Sequence, residues 1–214
     1  MRSSLMATSA ALLLVVPPAW AASPLKDGEA KRSWTIPAVA AGQLLDVQLR
    51  TGAGLSITAW DRDEVSVESD WDETRCPDAR IDVTKTDQGV LIESAYPPGP
   101  GVVSHNCSFH FAVKVPRTID IHLRSAGGSV AITGVRGDIE GQTGGGRIEL
   151  GGLHGSVRLR TGGGGILVRD SDLEGHVSTG GGRVTFEHVS GGVTGRSGSM
   201  RGRVRGSTGT IVFF

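Results

Sequence analysis

The chain has no excess of either charge: 22 Lys and Arg stand against 22 Asp and Glu, a formal net charge of zero. A general binder of nucleic acid or of anionic membranes would show a basic surplus, so no nucleic-acid partner is expected. Cysteine is nearly absent, with Cys76 and Cys107 alone, and no CxxC pair frames a zinc site. Beyond its first residues the chain lacks any apolar run of the ~18 residues that a membrane-spanning helix needs, so no transmembrane segment is expected once the leader is removed. The phosphate-loop pattern GxxxxGK[ST] is missing too. The six histidines, at 105, 110, 122, 154, 176 and 188, are scattered, and none stands in a recognisable order with a nucleophile and an acid. Neither catalysis nor a cofactor is therefore expected.

What is present begins with an export signal. Arg2 supplies a positive n-region, Leu5 to Val16 an apolar h-region, and Ala19-Trp20-Ala21 a small-x-small cleavage site. Residues 1–21 are expected to be a signal peptide, and the mature protein to be periplasmic or secreted. In that oxidising setting Cys76 and Cys107 are expected to form one disulfide. The competing arrangement is a metal site built on His105, Cys107 and His110, which falls short of the usual four ligands.

The dominant feature is a repeat. Of the 33 glycines, 26 lie after residue 119. A Ser/Thr anchor recurs every eighteen residues, at Ser125, Thr143, Thr161, Thr179 and Ser197, and a glycine cluster follows each of the first four, beginning at Gly127, Gly144, Gly162 and Gly180. Five past the anchor stand Val130, Ile148, Ile166 and Val184; seven past it stand Ile132, Leu150, Val168, Phe186 and Val204. Four before it stand Ile121, Ile139, Val157, Val193 and Ile211. A second corner reads apolar-x-Gly: Val135 to Gly137, Leu153 to Gly155, Leu173 to Gly175 and Val189 to Gly191. Each repeat thus holds two short alternating segments, which is strand periodicity. A constant step means that like positions stack.

These observations predict an all-β chain whose residues 119–214 form a parallel β-solenoid of eighteen-residue turns with two short strands per turn. Residues 22–118 are expected to be a disulfide-stapled β region that caps it. Within that region, 45–57 reads as an early copy of the unit with a corner one residue shorter. Ile81 and Val83 read as pairing with Val90 and Ile92 across the turn Asp87-Gln88-Gly89. One repeat is irregular: Arg169 to Asp172 is expected as a longer corner loop, with Gly175 in a core position. Ile211, Phe213 and Phe214 are expected to close the last turn.

The pattern of residues 111–168, with Val113 to Pro116 followed by a strand from Ile121 to Ser125 and then the glycine-cornered turns, resembles the bacterial β-strand-repeat domains of unknown function often labelled putative adhesins. The resemblance spans roughly residues 44–210. It implies an extracytoplasmic β-solenoid in proteins linked to envelope stress or surface attachment. It supplies no catalytic residues, and the Cys76/Cys107 pair is not part of the shared motif.

A calcium-binding β-roll would need aspartate where this repeat has glycine or an apolar residue. Asp170, Asp172 and Glu174 could supply the paired carboxylates of a carbohydrate-active enzyme on a parallel β-helix, although solvated polar loops are far commoner. Arginines flank the glycine corner: Arg124, Arg160 and Arg196 before the anchor, Arg147, Arg183 and Arg201 after it. Stacking would line them along one edge, where they could meet carboxylates or phosphates, or simply keep a strand array soluble. The expected binding residues are therefore Arg124, Arg147, Arg160, Arg183 and Arg196. The expected function is a non-catalytic binding or scaffolding module of the cell envelope, with an envelope glycan or protein as partner. The alternatives are the carbohydrate-active enzyme and a sensory module for envelope stress.

Overall fold

A step of eighteen residues brings like residues side by side when the strands that carry them run parallel, and the computed structural model of the protein contains that pairing. The structure describes residues 29–72, 76–96, 107–199 and 201–213. The expected signal peptide, His105 and Phe214 lie outside the described residues.

Seventeen strands and no helix are found among the described residues. They are β1 (Glu29–Pro37), β2 (Leu44–Leu49), β3 (Gly54–Trp60), β4 (Glu64–Asp72), β5 (Arg80–Thr86), β6 (Gly89–Ala95), β7 (Phe109–Pro116), β8 (Asp120–Ser125) and β9 (Val130–Thr133). The remainder are β10 (Arg136–Thr143), β11 (Ile148–Gly151), β12 (His154–Thr161), β13 (Ile166–Thr179), β14 (Val184–Ser190), β15 (Gly192–Ser197), β16 (Gly202–Arg205) and β17 (Thr210–Phe213). All belong to one sheet of mixed orientation that folds back on itself, nearly closed like a barrel.

The sheet has two faces. On the first, β5-β6-β2-β8-β10-β12 leads to the second half of β13 and on to β15 and β17. On the second, β1-β4-β7-β3-β9-β11 leads to the first half of β13, β14 and β16. Strand β13 runs through both. From β8 onward every ladder is parallel, and each partner lies eighteen residues away, as in Ile121↔Ile139, Ile139↔Val157 and Ile148↔Ile166. The expectation of a parallel arrangement needs one correction. β1–β4, β4–β7 and β5–β6 are antiparallel. The β5–β6 ladder is the expected hairpin across Asp87-Gln88-Gly89, with Val83 opposite Ile92, since so short a connection can join only antiparallel strands.

The early copy of the unit sits inside the stack. Leu45, Val47 and Leu49 pair with Ile121, Leu123 and Ser125, and Leu55 pairs with Val130. The sequence separation of partners falls by one residue across this corner, so the corner of the early copy is one residue longer rather than shorter as expected: Leu49, and not Thr51, stands opposite the anchor Ser125.

Inward side chains of the two faces form the core. Leu45, Ile121, Ile139, Val157 and Val193 are buried in one column, and Leu55, Val130, Ile148, Ile166 and Val184 in another. Each such side chain contributes roughly 1.5–3 kcal/mol of burial. The anchor hydroxyls explain why Ser and Thr hold their column. Thr161 Oγ1 donates to the Gly146 carbonyl at 2.8 Å, Thr179 Oγ1 to that of Gly164 at 2.7 Å, and Ser197 Oγ to that of Gly182 at 2.6 Å. Each anchor thus ties its own repeat to the corner of the preceding one. Thr161→Val, which keeps the shape but removes the donor, is expected to cost about 1–3 kcal/mol. A denaturant midpoint unchanged from wild type would show that the hydroxyl ladder is not stabilising.

The irregular repeat differs from expectation. Arg169 to Glu174 is not a loop but part of β13, which runs unbroken for 14 residues. The second corner is instead set by a column of left-handed backbone: Gly134 (φ 75), Gly152 (φ 63), Asp170 (φ 49), His188 (φ 52) and Gly206 (φ 57). Glycine takes this conformation freely, while Asp and His tolerate it better than most side chains. Ser171 then falls into the apolar column, opposite Val189. Its hydroxyl is satisfied there, donating to the Arg169 carbonyl at 2.6 Å and accepting from the Leu153 amide at 3.1 Å. Leu173 pairs with Gly155, and Gly175 lies in mid-strand between Val157 and Val193, so Leu173-Glu174-Gly175 is not a corner. At the far end the Phe213 ring lies against Phe186 at 5.6 Å. It fills the space left by Gly195, where a Cβ would come within 2.9–3.0 Å of both rings.

Cys76 and Cys107 form the expected disulfide, with Cα atoms 6.2 Å apart. It lies just beyond the last β4–β7 pair, Trp71↔Phe109, whose rings stack at 6.3 Å.

Candidate functional site

Residues facing outward on the first face form three columns, because strand side chains alternate between core and solvent. The column next to the glycine corner reads Gln48, Arg124, Gln142, Arg160, Ser178, Arg196. All three arginines are exposed. They alternate with neutral polar residues, and paired strands lie ~4.8 Å apart, so neighbouring guanidinium groups spring from backbones about 9.6 Å apart. The middle column reads Asp46, His122, Glu140, Arg158, His176, Thr194. The column nearest the second corner carries Asp120, Asp138, Ser156 and Glu174. From Gln48 to Arg196 the acidic groups lie in the two columns away from the glycine corner; beyond Gln48 the first column continues into Glu93 and Asp82.

Arg124, Arg158, Arg160 and Arg196 make no ion pair with any described residue. Two depressions flank this column. One, of about 360 Å³, is lined by Gln48, Arg50, Arg124 and Gln142. The other, of about 440 Å³, is lined by Arg158, Arg160, His176, Ser178, Thr194 and Arg196.

Arg147 and Arg183 lie across the corner, on the outward side of the second face. The structure therefore divides the five expected residues into two groups rather than one edge. Arg147 is also engaged, with Nε 2.9 Å from Glu149 Oε1. Corner by corner the arginines alternate sides, from Arg124 to Arg147, Arg160, Arg183 and Arg196. Like charges directly opposite on adjacent strands repel, and the alternation keeps Arg124, Arg160 and Arg196 two strands apart, although at the last corner Arg201 comes next to Arg183 on the other side.

The second face holds a depression of about 440 Å³ that sequence reasoning missed. Its floor is Gly54, Ser56, Ala112 and Ala131, and its walls carry the Lys31–Glu68 pair (3.2 Å) and the Arg147–Glu149 pair. The only sequence signal is small residues at outward strand positions, on strands far apart in the chain.

The carboxylates of the rival enzyme reading are held by the following repeat. Asp170 Oδ1 lies 3.3 Å from His188 Nδ1, and Asp172 Oδ1 accepts from Ser190 Oγ at 2.8 Å. Cys107 is committed to the disulfide, which removes the metal arrangement with His110. Among the described residues no three His, Cys, Asp or Glu side chains converge on a metal position, and no helix is long and apolar enough to cross a membrane. Three titrations are displaced, all away from the arginine column, that of Arg117 upward through its hydrogen bond to Asp61. Arg117 grips Asp61 with both arms of its guanidinium, its Nη2 3.0 Å from Oδ2, and holds that carboxyl below the ordinary carboxylate range. Burial raises the Tyr96 phenol above its usual value.

The class so defined is an all-β protein of stacked strand units with a disulfide at one end and a cationic column beside its glycine corner. No family model and no curated protein matches the chain. Among solved structures it is similar to a putative cell adhesion protein from Clostridium sporogenes, at 12% identity and a TM-score of 0.44, over 86% of this chain and 98% of that one. It is also similar to a putative lipid binding protein from Parabacteroides distasonis, at 11% identity and a TM-score of 0.44, over 88% and 97%. A putative adhesin from Parabacteroides merdae follows at 11% identity and a TM-score of 0.37, over 88% and 97%. At these levels the likeness transfers no function to this chain.

Proposed function

We propose that the chain is an extracytoplasmic, non-catalytic β-solenoid of the putative-adhesin kind that binds or scaffolds components of the cell envelope. Residues 1–21 would be removed on export, 22–118 would cap the stack, and 119–214 would be the repeat array. The parallel eighteen-residue register supports the solenoid, and the disulfide supports an oxidising compartment. The observation that carries the binding role is the column of Arg124, Arg160 and Arg196, exposed and without carboxylate partners among the described residues. Unpaired guanidinium groups in one line are ready to meet anionic groups with charge-assisted hydrogen bonds.

The test is capture of envelope material by the purified mature protein, compared with the R124A/R160A/R196A variant. The substitutions are at exposed positions and should leave the fold intact. Capture that falls at least tenfold in the variant supports the proposal. Equal capture by both proteins removes the column as the binding face.

A further inference from the structure

We infer that the Arg124–Arg160–Arg196 column takes a linear acidic polysaccharide, laid across the strands, with one charged group about every 10 Å. The inference rests on the reading of this column as the binding face and names its ligand.

The spacing is the first argument. Arg124 and Arg196 are four strand steps apart, about 19 Å, too far for one small anion to bridge. The cations instead form a ruler with a two-strand period. Duplex DNA presents a charge every ~1.7 Å of its axis, several times denser than this column can neutralise. The second argument is what lies between the arginines. Gln142 and Ser178 offer an amide and a hydroxyl, donors and acceptors suited to sugar hydroxyls. Single-stranded nucleic acid would want aromatic platforms for its bases, and among the described residues the outward positions of this face carry no Phe, Tyr or Trp. The third argument is shape and charge together. The two depressions flank the same column, and from Gln48 to Arg196 it holds no carboxylate. A polymer carrying a carboxylate on every second sugar satisfies all three.

The probes are hyaluronan oligosaccharides of defined length, with neutral dextran and oligo(dT) as comparisons, titrated calorimetrically into the disulfide-intact mature protein. Hyaluronan is expected to bind and dextran not. Affinity should rise with oligosaccharide length until the chain spans about 19 Å, then level off, because linked sites reinforce one another only while each can be reached. R124A/R160A/R196A should weaken binding at least tenfold, and R147A/R183A, on the other face, less than threefold. Oligo(dT) should bind at least tenfold more weakly than hyaluronan of equal charge. Absent hyaluronan binding, affinity independent of length, or equal affinity for oligo(dT) would each overturn the inference. If the protein still captured envelope material through the same arginines, the binding-face reading would stand and the polysaccharide alone would fall. If that capture were also insensitive to the arginines, both would fall.

Discussion

Gly164→Ala is expected to destabilise the protein by about 3 kcal/mol or more, whereas Gly163→Ala, one residue away, should be neutral or stabilise by about 0.4–1 kcal/mol. The two glycines stand in one run and differ only in what surrounds them. A Cβ on Gly164 would collide with the carbonyl of Gly146 and lie 2.6 Å from the Arg147 amide nitrogen, all of it backbone. Backbone held in a ladder cannot step aside as a flexible side chain can, so two repeats would have to part. A Cβ on Gly163 meets nothing within 4 Å, and its φ lies outside the left-handed range. There alanine merely removes freedom from the unfolded chain. Urea melts of the two variants decide the matter. Equal loss at both positions would mean that the run is glycine for flexibility and not for close approach.

Loss of the Cys76–Cys107 bond is expected to cost about 3–4 kcal/mol, from the entropy regained by a loop of this length in the unfolded chain. For a domain of this size that lowers the melting temperature by roughly 10 °C. The effect should be local before it is global. The closed loop contains the β5–β6 hairpin, and β6 holds β2. Hydrogen exchange in C76A/C107A should therefore accelerate first in β5, β6 and the β4–β7 ladder, and last in β10 to β14. A uniform acceleration across all strands would show that the disulfide supports the stack as a whole, and unchanged exchange that it supports nothing.

Much of this architecture was legible in the sequence because the interior is made of columns. Ile148, Ile166 and Val184 recur at one step, and the pairing Ile148↔Ile166↔Val184 follows directly. The Ser/Thr anchor could be seen as a column, but its purpose could not, since the acceptor of Thr161 lies fifteen residues back on another corner. The second corner was misread for a physical reason. Its defining property is a left-handed backbone, which Gly134 and Gly152 advertise and Asp170 and His188 disguise. Ser171 looked like a loop residue because nothing in sequence reveals that a buried hydroxyl has both its bonds made. The antiparallel ladders of β1 and β4 depend on contacts between strands with no common period. The arginine column was visible as a spacing, but its separation from Arg147 and Arg183 required knowing which face each strand joins. The floor of the groove, Gly54, Ser56, Ala112 and Ala131, is assembled from three strands remote in the chain, each of which shows no more than small residues at outward positions.

The alternation of arginines across the glycine corner gives the molecule two clocks. Its interior returns to itself every eighteen residues, whereas the arginines of the first-face column return only every thirty-six. A duplication of one unit would extend the hydrophobic spine without a fault and yet set two arginines on adjacent strands, where they repel. Duplication in pairs preserves both rhythms. Lengthening that keeps the ruler true is therefore quantised in steps of two units, about 9.6 Å of body at a time.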